Sequence, residues 1–167
     1  MGSNPAAVVV NDFNNDGVLD LAVANSGSNT VSVLPGNGDG TFGASSDYAV
    51  GSQPVALAVG DFRGDGAARG IPNPDLAVVN QGDGTVSVLV NVGTDSLAGP
   101  VGLATMPSAN GLALGDFFKD GKKEAVVAGT LAAGNLLLAR APLPPRVMTS
   151  PVLAVSFAAN AQLAAWG

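Results

Sequence analysis

Three stretches of this chain carry Asp-Phe at the head of an acidic loop and recur at an interval near 50 residues. The first, residues 11–25, reads Asn-Asp-Phe-Asn-Asn-Asp-Gly-Val-Leu-Asp-Leu-Ala-Val-Ala-Asn. The second is Asp61-Phe62-Arg63-Gly64-Asp65-Gly66, and the third is Asp116-Phe117-Phe118-Lys119-Asp120-Gly121. Asp12 and Asp61 are 49 residues apart, and Asp61 and Asp116 are 55 apart. In the second copy the acid before the Leu-Ala-Val stretch is Asp75, six positions late, so an insertion within Ala67–Pro74 accounts for the longer interval. A period near 50 constrains the fold strongly. Each repeat is one supersecondary unit that cannot bury its apolar face alone, so the units must stack.

The segments between these loops keep one register. Thr30-Val31-Ser32-Val33-Leu34 returns as Thr85-Val86-Ser87-Val88-Leu89, and Ala22-Val23-Ala24-Asn25 returns as Ala77-Val78-Val79-Asn80. The third copy continues through Glu124–Ala128 and Asn135–Leu138. Short Val-, Leu- and Ala-rich runs bounded by turn dipeptides predict strands near 6–11, 19–25, 30–35 and 46–50 in the first unit. Asn37-Gly38 and Asp39-Gly40 supply the positive φ angles of a tight connection. The glycine run there is followed by no Lys-Ser/Thr and no helix, so it reads as a turn, not a phosphate loop. No sustained 3.6-residue apolar pattern appears, and 156–166 is the one stretch that reads as a candidate helix. Val152–Phe157 reads as the start of a further copy, with Ser156-Phe157 in the place of Asp-Phe. The expected fold is all-β, a β-propeller-like array of about three four-stranded blades plus a partial fourth. The expected organisation is a single repeat domain over 1–167, with repeats at about 5–53, 54–108 and 109–148 and a partial repeat at 149–167.

The first loop has oxygen-ligand spacing for a hard cation, with calcium the best fit. Asp12, Asn14, Asp16 and Asp20 stand at positions 1, 3, 5 and 9, Val18 offers a backbone carbonyl, and Gly17 permits the sharp turn. Position 12, where an EF-hand carries a bidentate Glu, is Val23 in a predicted strand, which disfavours an EF-hand. In the second loop Asp61 and Asp65 remain, but Arg63 stands at position 3 and Asp75 is displaced from position 9. Either this loop still binds an ion, or the Arg63 guanidinium lies between the carboxylates in its place. In the third, Asp116, Asp120 and Glu124 keep the acidic positions. Phe118 removes a ligand there, and Lys119, Lys122 and Lys123 add positive charge, which favours a metal-free loop. Arg63-Gly64-Asp65 is also an integrin-recognition tripeptide, but it arises wherever such a loop ends Gly-Asp-Gly.

The 49-residue unit resembles the FG-GAP repeat, also described as the VCBS-type repeat, of integrin α-chain propellers and many secreted bacterial proteins. Residues Asp12–Val23 are similar to that family's metal loop and following strand, and Phe42-Gly43 and Gly51-Ser52-Gln53-Pro54 to the two halves of its name. The resemblance covers roughly residues 5–140. It implies propeller blades, calcium held in loops between strands, and an extracellular binding or scaffolding role.

Composition narrows the function. There is no Cys and no His, which removes disulfides, zinc sites, thiol nucleophiles and Ser-His-Asp arrangements. A net charge of −6 without a basic stripe argues against nucleic acid. Charged residues are 12% of the chain, about half the usual share, so strands this apolar must be buried on both faces or meet another chain. No signal-peptide pattern opens the sequence, and no uninterrupted apolar run is long enough to span a bilayer. No acid–base pair stands apart from the metal-loop positions, so no enzyme is expected.

Three and a half blades do not fill the usual ring of four to eight. The chain is therefore expected to belong to a longer propeller, to pair into a ring, or to stack into a filament, with Pro151–Gly167 as the first candidate contact. The expected function is an extracellular or cell-surface, calcium-stabilised structural or adhesive protein that self-associates. The alternative is a carbohydrate- or protein-binding module within a larger secreted protein.

Overall fold

A computed structural model describes residues 1–62, 74–92, 97–105, 108–115, 124–129, 135–139 and 153–156. Among the described residues twelve strands form three antiparallel sheets of four, each in chain order. The first sheet holds β1 (Pro5–Asn11), β2 (Asp20–Asn25), β3 (Thr30–Leu34) and β4 (Ser46–Ala49). The second holds β5 (Pro54–Gly60), β6 (Asp75–Asn80), β7 (Thr85–Asn91) and β8 (Leu97–Thr105). The third holds β9 (Ala109–Gly115), β10 (Glu124–Gly129), β11 (Asn135–Ala139) and β12 (Leu153–Ser156). Among the described residues there is no helix, hence none long and apolar enough to cross a membrane. Of the candidate helix at 156–166, Ser156 is instead the last residue of a strand, and the rest lies outside them.

The pairing registers repeat. Asn11 faces Asp20, Gly60 faces Asp75, and Gly115 faces Glu124. The insertion in the second copy therefore leaves the ladder untouched, and Asp75 is not displaced: it opens β6 as Asp20 opens β2. Each sheet's first strand also begins with the same irregularity, after Pro5, after Pro54 and at Ala109. A left-handed residue precedes each one: Asn4 (φ 51°), Gln53 (φ 52°) and Ser108 (φ 58°). The bulge and the turn before it swing the chain from one sheet onto the next.

Alternation along the strands gives every sheet two apolar faces. Val9, Ala22, Val31, Val33 and Tyr48 of the first sheet pack against Leu57, Val59, Leu76, Val78 and Leu89 of the second. The second sheet's other face, with Ala77, Val79, Val86 and Val88, meets Leu112, Leu114 and Val127 of the third. The middle sheet is thus covered on both sides, and every residue of β6 is buried. This is why its central strand reads as a nearly continuous apolar run.

One expectation is corrected. Leu153–Ser156, read as the opening of a fourth unit, pairs with β11 as the fourth strand of the third sheet. A three-stranded sheet would leave the β11 edge with unpaired N–H and C=O groups, and the next segment able to pair satisfies them. Among the described residues the sheets form an open array, not a closed barrel or propeller ring.

Candidate metal centre

The β1–β2 loop folds around its own side chains. Asp12 accepts from the backbone N–H of Asp16 (3.2 Å) and of Gly17 (2.9 Å). Asn14 Oδ1 accepts from the same Asp16 N–H at 3.0 Å, so oxygens from positions 1 and 3 converge on one point. Asp16 accepts from Val18 N–H (2.7 Å) and from the Asn14 amide (2.8 Å). Gly17 sits at φ 87° and Asn15 at φ 62°, the left-handed geometry that Gly and Asn tolerate and that reverses the chain within the loop.

Asp20 does different work. It is 1% exposed, and its two oxygens take the backbone N–H groups of Phe13 and Gly36, both at 2.8 Å. Asp75 repeats the arrangement, accepting from Phe62 N–H (3.2 Å) and Asn91 N–H (2.8 Å). A carboxylate that receives two buried N–H groups is a clamp between the loop and the strands that follow. The structure therefore brings Asp12, Asn14 and Asp16 together and sets Asp20 behind them. Among the described residues no three acidic side chains converge as a metal cage.

Asp61 is half-buried at the start of the second loop, beside the buried Phe62. Arg63, Asp65, Asp116 and Asp120 lie outside the described residues. Glu124 holds the register of Asp20 and Asp75 at the head of β10.

One participant carries no sequence signal of its own. Asn91 donates its side-chain amide to the carbonyl oxygen of Phe13 at 2.7 Å, while its N–H serves Asp75. Gly36 occupies the equivalent place in the first sheet. The 16-residue spacing from Asp20 to Gly36 and from Asp75 to Asn91 marks the position, but not the side chain's task. A cleft of about 260 Å³ lies behind the loop, with Phe13, Asn14, Tyr48 and Leu97 among its walls. The Tyr48 hydroxyl accepts from Leu97 N–H there at 3.3 Å.

The donors present are hard oxygens, which suit calcium or magnesium and not a soft metal. The first 62 residues contain six aspartates and neither Lys nor Arg. Among the described residues the only cation paired with an acid is the N-terminal amine, 4.0 Å from Asp47. Among the described residues the loop's negative charge thus has no protein cation beside it.

A search of curated proteins finds no match to this chain. Residues 12–68 match the family model described as an FG-GAP-like repeat. The matched stretch starts at the first aspartate of the loop, runs through β2, β3, β4 and β5, and ends within the second loop. One unit thus joins three strands of a sheet to the first strand of the next, and in residues 12–68 the chain carries an FG-GAP-like repeat.

Proposed function

We propose that this chain is an extracellular, calcium-stabilised structural or adhesive protein of the β-propeller type, without catalytic activity, that works by associating with copies of itself. The FG-GAP-like repeat supports the interaction role, since such repeats build non-catalytic propeller-type modules typical of extracellular proteins. One observation carries the calcium reading: side-chain oxygens of Asp12 and Asn14 converge in an acidic loop, within a 62-residue stretch that contains no Lys or Arg. Asp12, Asn14, Asp16 and the Val18 carbonyl would hold the ion. Calcium would supply charge neutralisation there and a tie between β1 and β2. Asp20 would keep the loop seated on the sheet by holding Phe13. A ligand that binds only the folded state stabilises it by about 2.7 kcal/mol at a hundredfold excess over Kd.

Thermal unfolding with calcium and with chelator tests this. The native chain should melt higher in calcium, and Asp16→Ala should lose most of that difference. An equal calcium shift in both proteins would sink the metal reading.

A second reading draws on a polar groove of about 430 Å³ between the first two sheets, whose walls include Asn4, Asn29, Gln53 and Gln81. Amides both donate and accept, as carbohydrate hydroxyls require. A glycan array would separate a sugar-binding module from a purely structural one.

A further inference from the structure

We propose that each of the first two sheets seats one buried water molecule on the side-chain oxygen of an asparagine, Asn25 in the first and Asn80 in the second. These residues end β2 and β6, at the opposite end of each strand from the acidic loops, so the two sites need no calcium.

Both asparagines are fully buried. The Asn25 amide donates to Ser32 Oγ (2.8 Å) and Thr30 Oγ1 (3.3 Å), and the Asn80 amide to Ser87 Oγ (2.8 Å) and Thr85 Oγ1 (2.9 Å). Carboxylates decide which way each amide faces. The Ser32 hydroxyl donates its proton to Asp47 and the Thr85 hydroxyl to Asp83, each at 2.6 Å. A hydroxyl whose one proton is committed can only accept, so the NH2 end of each asparagine must face it. Oδ1 is thereby turned the other way. Among the described residues neither Oδ1 meets a hydrogen-bond donor. Native proteins rarely leave a buried acceptor in that condition.

The local chain explains why no protein donor arrives. Asn25 stands opposite Pro5 and Asn80 opposite Pro54, and proline has no N–H. The residue after each proline, Ala6 or Val55, drops out of the pairing as the extra residue of the bulge. Glycines close another side. A Cβ at Gly2 would stand 2.8 Å from Asn25 Cγ, and one at Gly51 2.6 Å from Asn80 Nδ2. What fits is a small donor, and the backbone of the bulge offers a water its further partners. The amide oxygen is neutral, and Asp47 and Asp83 are turned to hydroxyls, so the site suits water and not a cation. The polar groove between the two sheets gives water a route in. Its walls include Asn4 and Ser26, which adjoin Pro5 and Asn25, and Gln53, Val55 and Gln81, which adjoin Pro54 and Asn80.

The third sheet has lost the whole set together. Its register puts Ala109 in the place of the proline, Gly129 in that of the asparagine, Asn135 in that of the threonine and Leu137 in that of the serine. With no side-chain oxygen at Gly129, there is no acceptor to serve. In the first two sheets the water ties the bulge that brings the chain onto the sheet to that sheet's second strand.

Water-selected nuclear Overhauser spectra of the full chain should show a long-lived water beside the side-chain amides of both Asn25 and Asn80. A crystal structure should place one water within hydrogen-bond distance of each Oδ1. Asn80→Leu removes one oxygen at similar bulk, and should lose the second signal and keep the first. Where that variant fails to fold, the native chain decides. Silence at either asparagine, or a protein donor on either Oδ1, would overturn the proposal. A metal ion at coordination distance would overturn water as the ligand. A second signal that persists in Asn80→Leu would overturn Asn80 as the residue that holds it.

Discussion

The side-chain amide of Asn91 holds the carbonyl oxygen of Phe13 at 2.7 Å across the junction of the first two sheets. Phe13 N–H is held by Asp20 and Asn91 N–H by Asp75, so one buried chain of hydrogen bonds runs from Gly36 through the acidic loop to Phe62. Removing Asn91 leaves a carbonyl without its donor in a site closed to water, at a cost of about 1–3 kcal/mol. Asn91→Ala should therefore lower the urea midpoint. Asn91→Asp should lower it further, because a carboxylate oxygen then faces the Phe13 carbonyl.

Asp20 and Asp16 should respond differently to calcium. Asp20→Asn replaces one acceptor with an amide that cannot receive an N–H, leaving Phe13 or Gly36 unpaired. The loss should be about 1–3 kcal/mol in calcium and in chelator alike. Asp16→Ala should matter mainly in calcium. Paired unfolding curves in the two conditions check this, and a calcium-dependent loss at Asp20 would make it a ligand after all.

The sequence carried the period, the strands of the first unit and the all-β class, because alternating apolar residues and turn dipeptides are local signals. It did not carry the burial of Asp20 or its two N–H partners, because a cation loop and an N–H clamp both ask for a carboxylate at the same offset. Asn91 was hidden for another reason: its counterpart is Gly36, so comparison of the copies predicts no side chain there. Gly2-Ser3-Asn4-Pro5 and Gly51-Ser52-Gln53-Pro54 stand 49 residues apart, a readable signal of how each sheet receives its first strand. The placement of β12 depended on which edge remained open, which no local pattern encodes.

Asp83 gives the second sheet an acid-sensitive joint. Partial burial pushes its carboxyl upward. The Thr85 hydroxyl (2.6 Å) and the N–H groups of Ser52 (2.7 Å) and Thr85 (3.0 Å) outweigh that and hold it below its ordinary value of 3.8. A depressed carboxylate contributes stability that is complete above the unfolded value and lost as pH falls through the folded one. Unfolding midpoints should accordingly drop below about pH 4. Asp83→Asn should be less stable at neutral pH and show a shallower acid slope. An unchanged slope would remove Asp83 from the account.

Gly51 marks where the chain crosses from the first sheet to the second at closest approach. A Cβ built there would stand 2.6 Å from Asn80 Nδ2, from Asp83 Oδ2 and from Thr85 Oγ1. Those groups are not free to retreat. The Asn80 amide is already bonded to Thr85 (2.9 Å) and Ser87 (2.8 Å), and Asp83 is bonded to Ser52. Overpacking at such a site costs about 1–3 kcal/mol, which for a chain of this size lowers Tm by roughly 2–4 °C per kcal/mol. Gly99, by contrast, opens onto space with no atom within 4 Å of a built Cβ. Thermal melts of Gly51→Ala and Gly99→Ala should separate clearly, the first destabilised and the second within about 0.5 kcal/mol of the native chain. Equal melting temperatures would mean that the crossing segment does not bear on the second sheet, and that the stacking of sheets is held by the apolar faces alone.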